Sequence, residues 1–73
     1  MITLKIKDCY NEVIMITPWQ KEFIPQVGDS ILLYRGIDEK QVKANVLHRV
    51  FDTKEMSLVT LITDYTDKLI SHA

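Results

Sequence analysis

The sequence predicts an all-β fold, a small barrel of five mostly antiparallel strands. Residues 2–7 alternate apolar and polar side chains, with the period of two expected of a half-buried strand. Four further segments are dense in Val, Ile, Leu and Thr, and turn-forming Gly, Asp and Asn residues lie between them. Because several of these strands are apolar on both faces, we expect the sheet to curl into a barrel that buries one face.

The first two strands are expected to form a hairpin. Residues 2–7 and 13–17 are joined by a turn-prone stretch at residues 8–11. We expect Pro18 to end the second strand, because proline has no N–H to donate to the ladder.

A long connection follows at residues 18–29. It holds both prolines of the chain and the aromatic residues Trp19 and Phe23, so we expect it to pack onto the body of the domain. Residues 19–24 can form one helical turn.

Three strands complete the predicted barrel, at residues 30–35, 41–51 and 56–63. Strict alternation in the longest of them gives one face made of Val42, Ala44, Val46, His48 and Val50. The same alternation gives an opposite face made of Lys43, Asn45, Leu47, Arg49 and Phe51. Residues 64–73 are compatible with either a short helix or a ragged tail, and the chain is expected to form a single domain over residues 1–73.

Composition restricts the function classes. The chain has 73 residues, with nine Lys and Arg against ten Asp and Glu, and this balance argues against an avid binder of polyanions. Cys9 is the single cysteine, so no intramolecular disulfide is possible and a reducing cytoplasm is expected. No apolar run has the length of a membrane helix or a signal peptide, so no membrane partner is expected.

The residues that could carry chemistry are better explained as structural. His48 lies in a strand, His72 lies near the C-terminus, and Cys9 lies in a turn without an identifiable base beside it. The two glycines are too far apart to form a phosphate loop. We therefore expect no catalytic residues, no metal site and no cofactor, and we expect that the protein is not an enzyme.

A binding surface is the remaining possibility. Aromatic residues in the connection and on the strands, together with polar residues of the long strand, could bind a peptide or stack on bases. The candidate residues are Trp19, Tyr34, Lys43, Asn45, Arg49 and Phe51.

Two short motifs resemble known protein groups. Residues 27–33, V-G-D-S-I-L-L, resemble the start of a strand in SH3-like barrels, in which a Gly turn and a V-x-x-V strand follow. This resemblance implies an SH3-like barrel, with an OB-like barrel as second choice. Residues 23–29 (F-x-P-x-V-G-D) and 46–48 (V-x-H) resemble short uncharacterised proteins of Bacteroides-type bacteria and their mobile elements. This second resemblance implies no activity.

Two functions stay open at this point. The first is a non-enzymatic interaction or structural module, such as an assembly component of a phage or mobile element, whose partner is another protein or a second copy of the chain. The alternative is a small barrel that binds nucleic acid through Lys43, Arg49, Phe51, Tyr34 and Trp19.

Overall fold

Within residues 1–66, five strands form one mixed sheet that curls into a half-barrel. The structure is a computed structural model, and it describes residues 1–66. The strands are β1 (Ile2–Lys7), β2 (Val13–Trp19), β3 (Ser30–Arg35), β4 (Lys40–Phe51) and β5 (Leu58–Thr63). The prediction of an all-β fold with five mostly antiparallel strands is confirmed. Of the segment at residues 64–73, residues 67–73 lie outside the described residues, so the choice between helix and tail is not tested there.

The order of the strands across the sheet is β2-β1-β5-β4-β3. Three of the four pairings are antiparallel, and the central one, between β1 and β5, is parallel. A parallel pair cannot be joined by a tight turn, so the chain reaches β5 only after building β2, β3 and β4. As a result, β2 and β3 are the two edges of the sheet.

The core fills the concave face of the half-barrel. In β1 and β5 the buried residues alternate with more accessible ones, as a period of two requires. The buried apolar residues come from four strands and the segment after β5, and they are Leu4, Ile6, Leu33, Ala44, Val46, Val59, Leu61 and Tyr65.

The second strand is longer than predicted, because it continues through Pro18 to Trp19. Pro18 lies opposite Thr3 of β1, and the N–H of Thr3 donates to Ser57 on the other side of that strand. The position of Pro18 is therefore one where β2 makes no ladder bond with β1, and its nitrogen faces the free edge. A proline is tolerated in that place, so the expectation that it ends the strand is wrong.

The connection between β2 and β3 contains the expected helical turn, a 3₁₀ helix at Lys21–Phe23. The connection ends in a tight turn in which Gly28 has a φ of +96°, a backbone conformation that favours glycine. The carboxylate of Asp29 accepts a hydrogen bond from the N–H of Gln26 at 2.8 Å. These contacts hold the chain as it enters β3.

A bulge interrupts the long strand β4. Val46 pairs with Thr63 of β5, whereas His48 pairs with Ile62, so Leu47 is an extra residue on the β4 side. Each extra residue in a strand exchanges the faces of all the residues beyond it. The prediction that one face runs unbroken from residue 42 to residue 50 is therefore wrong beyond Val46.

The β1–β2 hairpin turns around a buried carboxylate. Asp8 is 1% exposed, and its Oδ1 accepts hydrogen bonds from the N–H groups of Tyr10 and Glu12, both at 2.9 Å. The turn between β4 and β5 uses the same geometry on the surface, where Asp52 Oδ1 accepts from the N–H groups of Lys54 and Glu55. The two aspartates differ mainly in burial.

We expect the substitution Asp8→Ala to lower the free energy of unfolding by about 2 kcal/mol, because it removes two hydrogen bonds to a charged group in a buried place. Urea unfolding at neutral pH measures this loss. Asp52→Ala is the matched control, and its loss should be clearly smaller because water can replace the carboxylate there. Equal losses in the two variants would show that burial of Asp8 contributes nothing.

Candidate binding surface

Lys43 and Asn45 lie on the convex face of the sheet. They pair across the sheet with Leu32 and Ser30, which alternate with core residues of β3 and so face away from the core. Tyr34 lies on this convex face too, opposite Gln41, and is 56% exposed. Three of the six predicted surface residues therefore share one face, on the β3–β4 hairpin.

Asn45 is engaged in holding the fold. Its backbone N–H and its side-chain amide each donate to the carboxylate of Asp64 at 2.8 Å, and its Oδ1 accepts from the hydroxyl of Ser30 at 2.7 Å. These bonds join β3, β4 and the chain just after β5. Asn45 thus acts as a clamp between strands.

Arg49 and Phe51 lie on the opposite, concave side, because the bulge at Leu47 exchanges the faces. They pair with Leu61 and Val59, which are both buried. The Arg49 guanidinium lies over the Phe51 ring, 5.1 Å from its centre, in cation–π geometry. The prediction that Lys43, Asn45, Arg49 and Phe51 share a face is wrong, since strict alternation takes no account of an extra residue.

Trp19 is partly buried and packs against the core. Its Nε1 donates to the carbonyl oxygen of Phe23 at 3.0 Å, which fixes the 3₁₀ turn against the end of β2. Phe23 itself is 70% exposed. The indole thus supports an aromatic ring that points towards solvent.

Two adjoining clefts lie beside this aromatic pair. The first, of about 300 Å³, is lined by Met1, Pro18, Trp19, Gln20 and Phe23. The second, of about 430 Å³, lies between the connection and β3, and is lined by Trp19, Phe23, Pro25, Asp29, Ser30, Ile31 and Leu32. We call the second one the Trp19 cleft. The two clefts share Trp19 and Phe23.

The sequence prediction included Trp19 but missed Phe23 and Leu32. Leu32 is 53% exposed and lies on the convex face, so one apolar face of its strand is open to solvent. The expectation that the aromatic residues of the connection pack onto the domain is confirmed for Trp19 and wrong for Phe23, and nothing in the sequence separates the two. Tyr34 lies on the same strand as Leu32 but does not line either cleft.

Arg35 closes the other end of the half-barrel, a contact that no sequence pattern predicts. Its guanidinium donates to the carbonyl oxygen of Ile14 at 2.8 Å and lies 5.7 Å from the centre of the Tyr65 ring. Ile14 is the extra residue of a register shift in β2. This contact joins the two edge strands, which are not neighbours in the sheet.

The candidate chemical residues are dispersed. His48 is exposed, pairs with Ile62 and faces away from the core. Cys9 is an exposed free thiol. Within residues 1–66, no three His, Cys, Asp or Glu side chains are grouped closely enough to hold a metal ion. His72 lies outside the described residues.

Comparison with known proteins found no match to a family model, to a curated protein or to a solved structure. The resemblances to SH3-like barrels and to proteins of Bacteroides-type bacteria therefore stay predictions. In the part of the chain that the structure describes, no helix has the length and apolar character needed to span a membrane.

The contact between Asn45 and Asp64 predicts a shift that titration can measure. Hydrogen bonds from the backbone N–H of Asn45, and then from its side-chain amide, hold the pKa of Asp64 below its ordinary value of 3.8. Because the pKa is lowered in the folded state, this contact stabilises the fold above pH 3.8 and is lost as the pH falls through the lowered value.

In the variant Asn45→Ala, we expect the pKa of Asp64 to rise only part of the way to the ordinary value, since the backbone N–H of residue 45 still donates. Carboxyl chemical shifts followed by NMR against pH measure it. Asp52 is the internal control, because its pKa is lowered by the N–H groups of Glu55 and Lys54. An unchanged Asp64 titration, or an equal shift of Asp52, would contradict this assignment.

Proposed function

We propose that this chain is a non-enzymatic interaction module that binds a partner protein through the Trp19 cleft. The observation that carries this proposal is the exposure of Phe23 on a turn held in place by the indole of Trp19. An exposed aromatic side chain on a fixed backbone at a concave surface is typical of protein-binding hot spots, where aromatic side chains enter well-packed pockets.

The lining of the cleft supports a partner with apolar side chains. Phe23, Ile31 and Leu32 contribute carbon-rich surface, and Trp19 already uses its indole N–H within the chain. Burying apolar surface gives roughly 25 cal/mol per Å², so an apolar side chain that covers Phe23 and Leu32 gains affinity without a charged contact.

The arrangement of cations gives less support to nucleic-acid binding. Lys43 lies on the convex face, whereas Arg49 and Phe51 lie beyond the bulge on the concave side. A single strand of nucleic acid that contacts Lys43 therefore does not reach the Arg49–Phe51 pair on the same surface. The formal net charge of −1 adds no general attraction to phosphates.

The exposed thiol of Cys9 supports a reducing compartment, and we propose the cytoplasm as the place where the chain works. In an oxidising compartment, an exposed free cysteine tends to form disulfides between molecules.

Peptides selected from a displayed random library on the immobilised protein provide a direct test. Trp19 is the single tryptophan, so a shift of its emission on titration reports filling of the cleft. We expect Phe23→Ser to weaken the selected peptides by roughly tenfold or more, because covering a Phe ring contributes about 1.5–3 kcal/mol.

Val27→Ser is the matched control. Val27 belongs to the same connection and is 62% exposed, but it lines neither cleft, so its substitution should leave the affinity unchanged. Failure to select any peptide, or equal losses in the two variants, would refute the proposal. Salt-sensitive binding of single-stranded DNA or RNA with no peptide binding would favour the nucleic-acid alternative.

A further inference from the structure

The two edges of the sheet differ in how they are protected. Edge strands expose unpaired N–H and C=O groups, and natural proteins usually cover or interrupt them. In this half-barrel, β2 and β3 are the edges, and their free sides carry different groups.

The free side of β2 is guarded. Pro18 has no N–H, and its carbonyl oxygen accepts a hydrogen bond from the hydroxyl of Thr17 at 3.3 Å. The carbonyl oxygen of Ile14 accepts from the guanidinium of Arg35 at 2.8 Å. Within residues 1–66, Ile16 presents both a free N–H and a free C=O to an incoming strand along this edge, whereas Ile14 and Pro18 do not.

Among residues 1–66, no hydrogen bond covers the free side of β3 from Ser30 to Tyr34. Val46 of β4 bonds through its N–H to Asp29 and through its carbonyl to Gly28, so alternate residues of β4 point their backbone groups towards β3. With the observed register, the residues of β3 bonded to β4 are Ile31, Leu33 and Arg35. The backbone groups that face outward are those of Ser30, Leu32 and Tyr34.

The Trp19 cleft lies directly beside this open edge. Ser30, Ile31 and Leu32 line one wall, and Trp19, Phe23 and Pro25 line the other. A strand laid along β3 has side chains that alternate between its two faces, so one of them can enter the cleft. Its main chain then meets the N–H and C=O groups that β3 leaves unpaired.

We propose that β3 binds an extended peptide segment of a partner protein as a sixth strand of the sheet, with an apolar side chain of that peptide held in the Trp19 cleft. This inference rests on the proposed function and adds the way in which the partner binds. In strand addition, the main-chain bonds provide affinity and the pocket selects the side chain.

The shape of the site favours a peptide over a second copy of the chain. At about 430 Å³, the cleft lies at the low end of the range for ligand pockets, about 300–1,000 Å³, so it accommodates one or two side chains. The cleft is lined by residues of the connection on one side and by β3 on the other, and a single extended strand needs only the outward backbone groups of β3 and one such pocket. In a second copy, β3 would bring its own β4 and connection with it.

The test uses the tightest peptide selected on the wild-type protein and the variant Leu32→Pro. The N–H of Leu32 faces outward and belongs to no ladder bond within residues 1–66, so its loss removes a bond to the peptide but none within the described fold. Because the Leu32 side chain also lines the Trp19 cleft, the reference is Leu32→Ala, which shortens that side chain and keeps the N–H. We expect the peptide to bind Leu32→Pro about five- to tenfold more weakly than Leu32→Ala, the loss expected for about one hydrogen bond.

Ile16→Pro is the matched control, because Ile16 holds the same outward position on the guarded edge. It should leave peptide binding unchanged. Circular dichroism and urea unfolding check that both variants fold. Hydrogen exchange on the wild-type protein adds a measurement that needs no variant, since peptide binding should slow exchange at Ser30, Leu32 and Tyr34.

The outcomes separate the two proposals. If Phe23→Ser weakens the peptide while Leu32→Pro binds it as tightly as Leu32→Ala does and the exchange rates show no effect, the interaction module stands and strand addition is overturned. If no peptide binds, the proposed function itself fails. If the protein alone forms a dimer in which the amides of Ser30, Leu32 and Tyr34 are already protected, the occupant is a second copy and the peptide proposal is overturned.

Discussion

The parallel pairing of β1 with β5 is the constraint from which the rest of the structure follows. Each of these strands has only one free side after they pair, and these sides take β2 and β4. The remaining strand, β3, pairs with β4, so β2 and β3 become the edges. The chain must then cross between the two edges over the open side of the half-barrel. The aromatic connection, the Trp19 cleft and the exposed edge of β3 are consequences of that crossing.

The two ends of the open side are built from different chemistry. At one end, polar groups form hydrogen bonds between elements: Thr63 donates its hydroxyl to the carbonyl of Lys7, the carbonyl oxygen of Tyr65 accepts from the N–H of Cys9, and Arg35 donates to Ile14 of β2. Among the described residues, no buried side-chain nitrogen or oxygen lacks a hydrogen-bond partner. At the other end, apolar side chains face solvent around Phe23. One end is therefore held by hydrogen bonds, whereas the other exposes apolar side chains that a partner could cover.

The alternation of side chains along the sequence predicted the features that depend on neighbouring residues alone. The bounds of β1 and β3 agree with the alternation of their side chains, and the 3₁₀ turn lies where the connection permits one. The parallel pairing could not be predicted, because it joins segments distant in sequence that carry no mark of their partner. The expectation for Pro18 was wrong because a strand tolerates proline where the proline nitrogen faces away from the neighbouring strand. The sequence does not show which residues of β2 direct their backbone groups towards β1. The surface residues were identified by type, but the faces of Arg49 and Phe51 depend on one bulge that alternation does not reveal.

The bulge at Leu47 has a consequence for how this fold can change over generations. A single-codon deletion at that position would leave composition and charge nearly intact, yet it would exchange which side chains beyond it face the core. Arg49 and Phe51 would move to the convex face beside Lys43, and His48 and Val50 would turn inward. Length variation in β4, rather than substitution, is thus a short genetic route between two different outer surfaces on the same sheet.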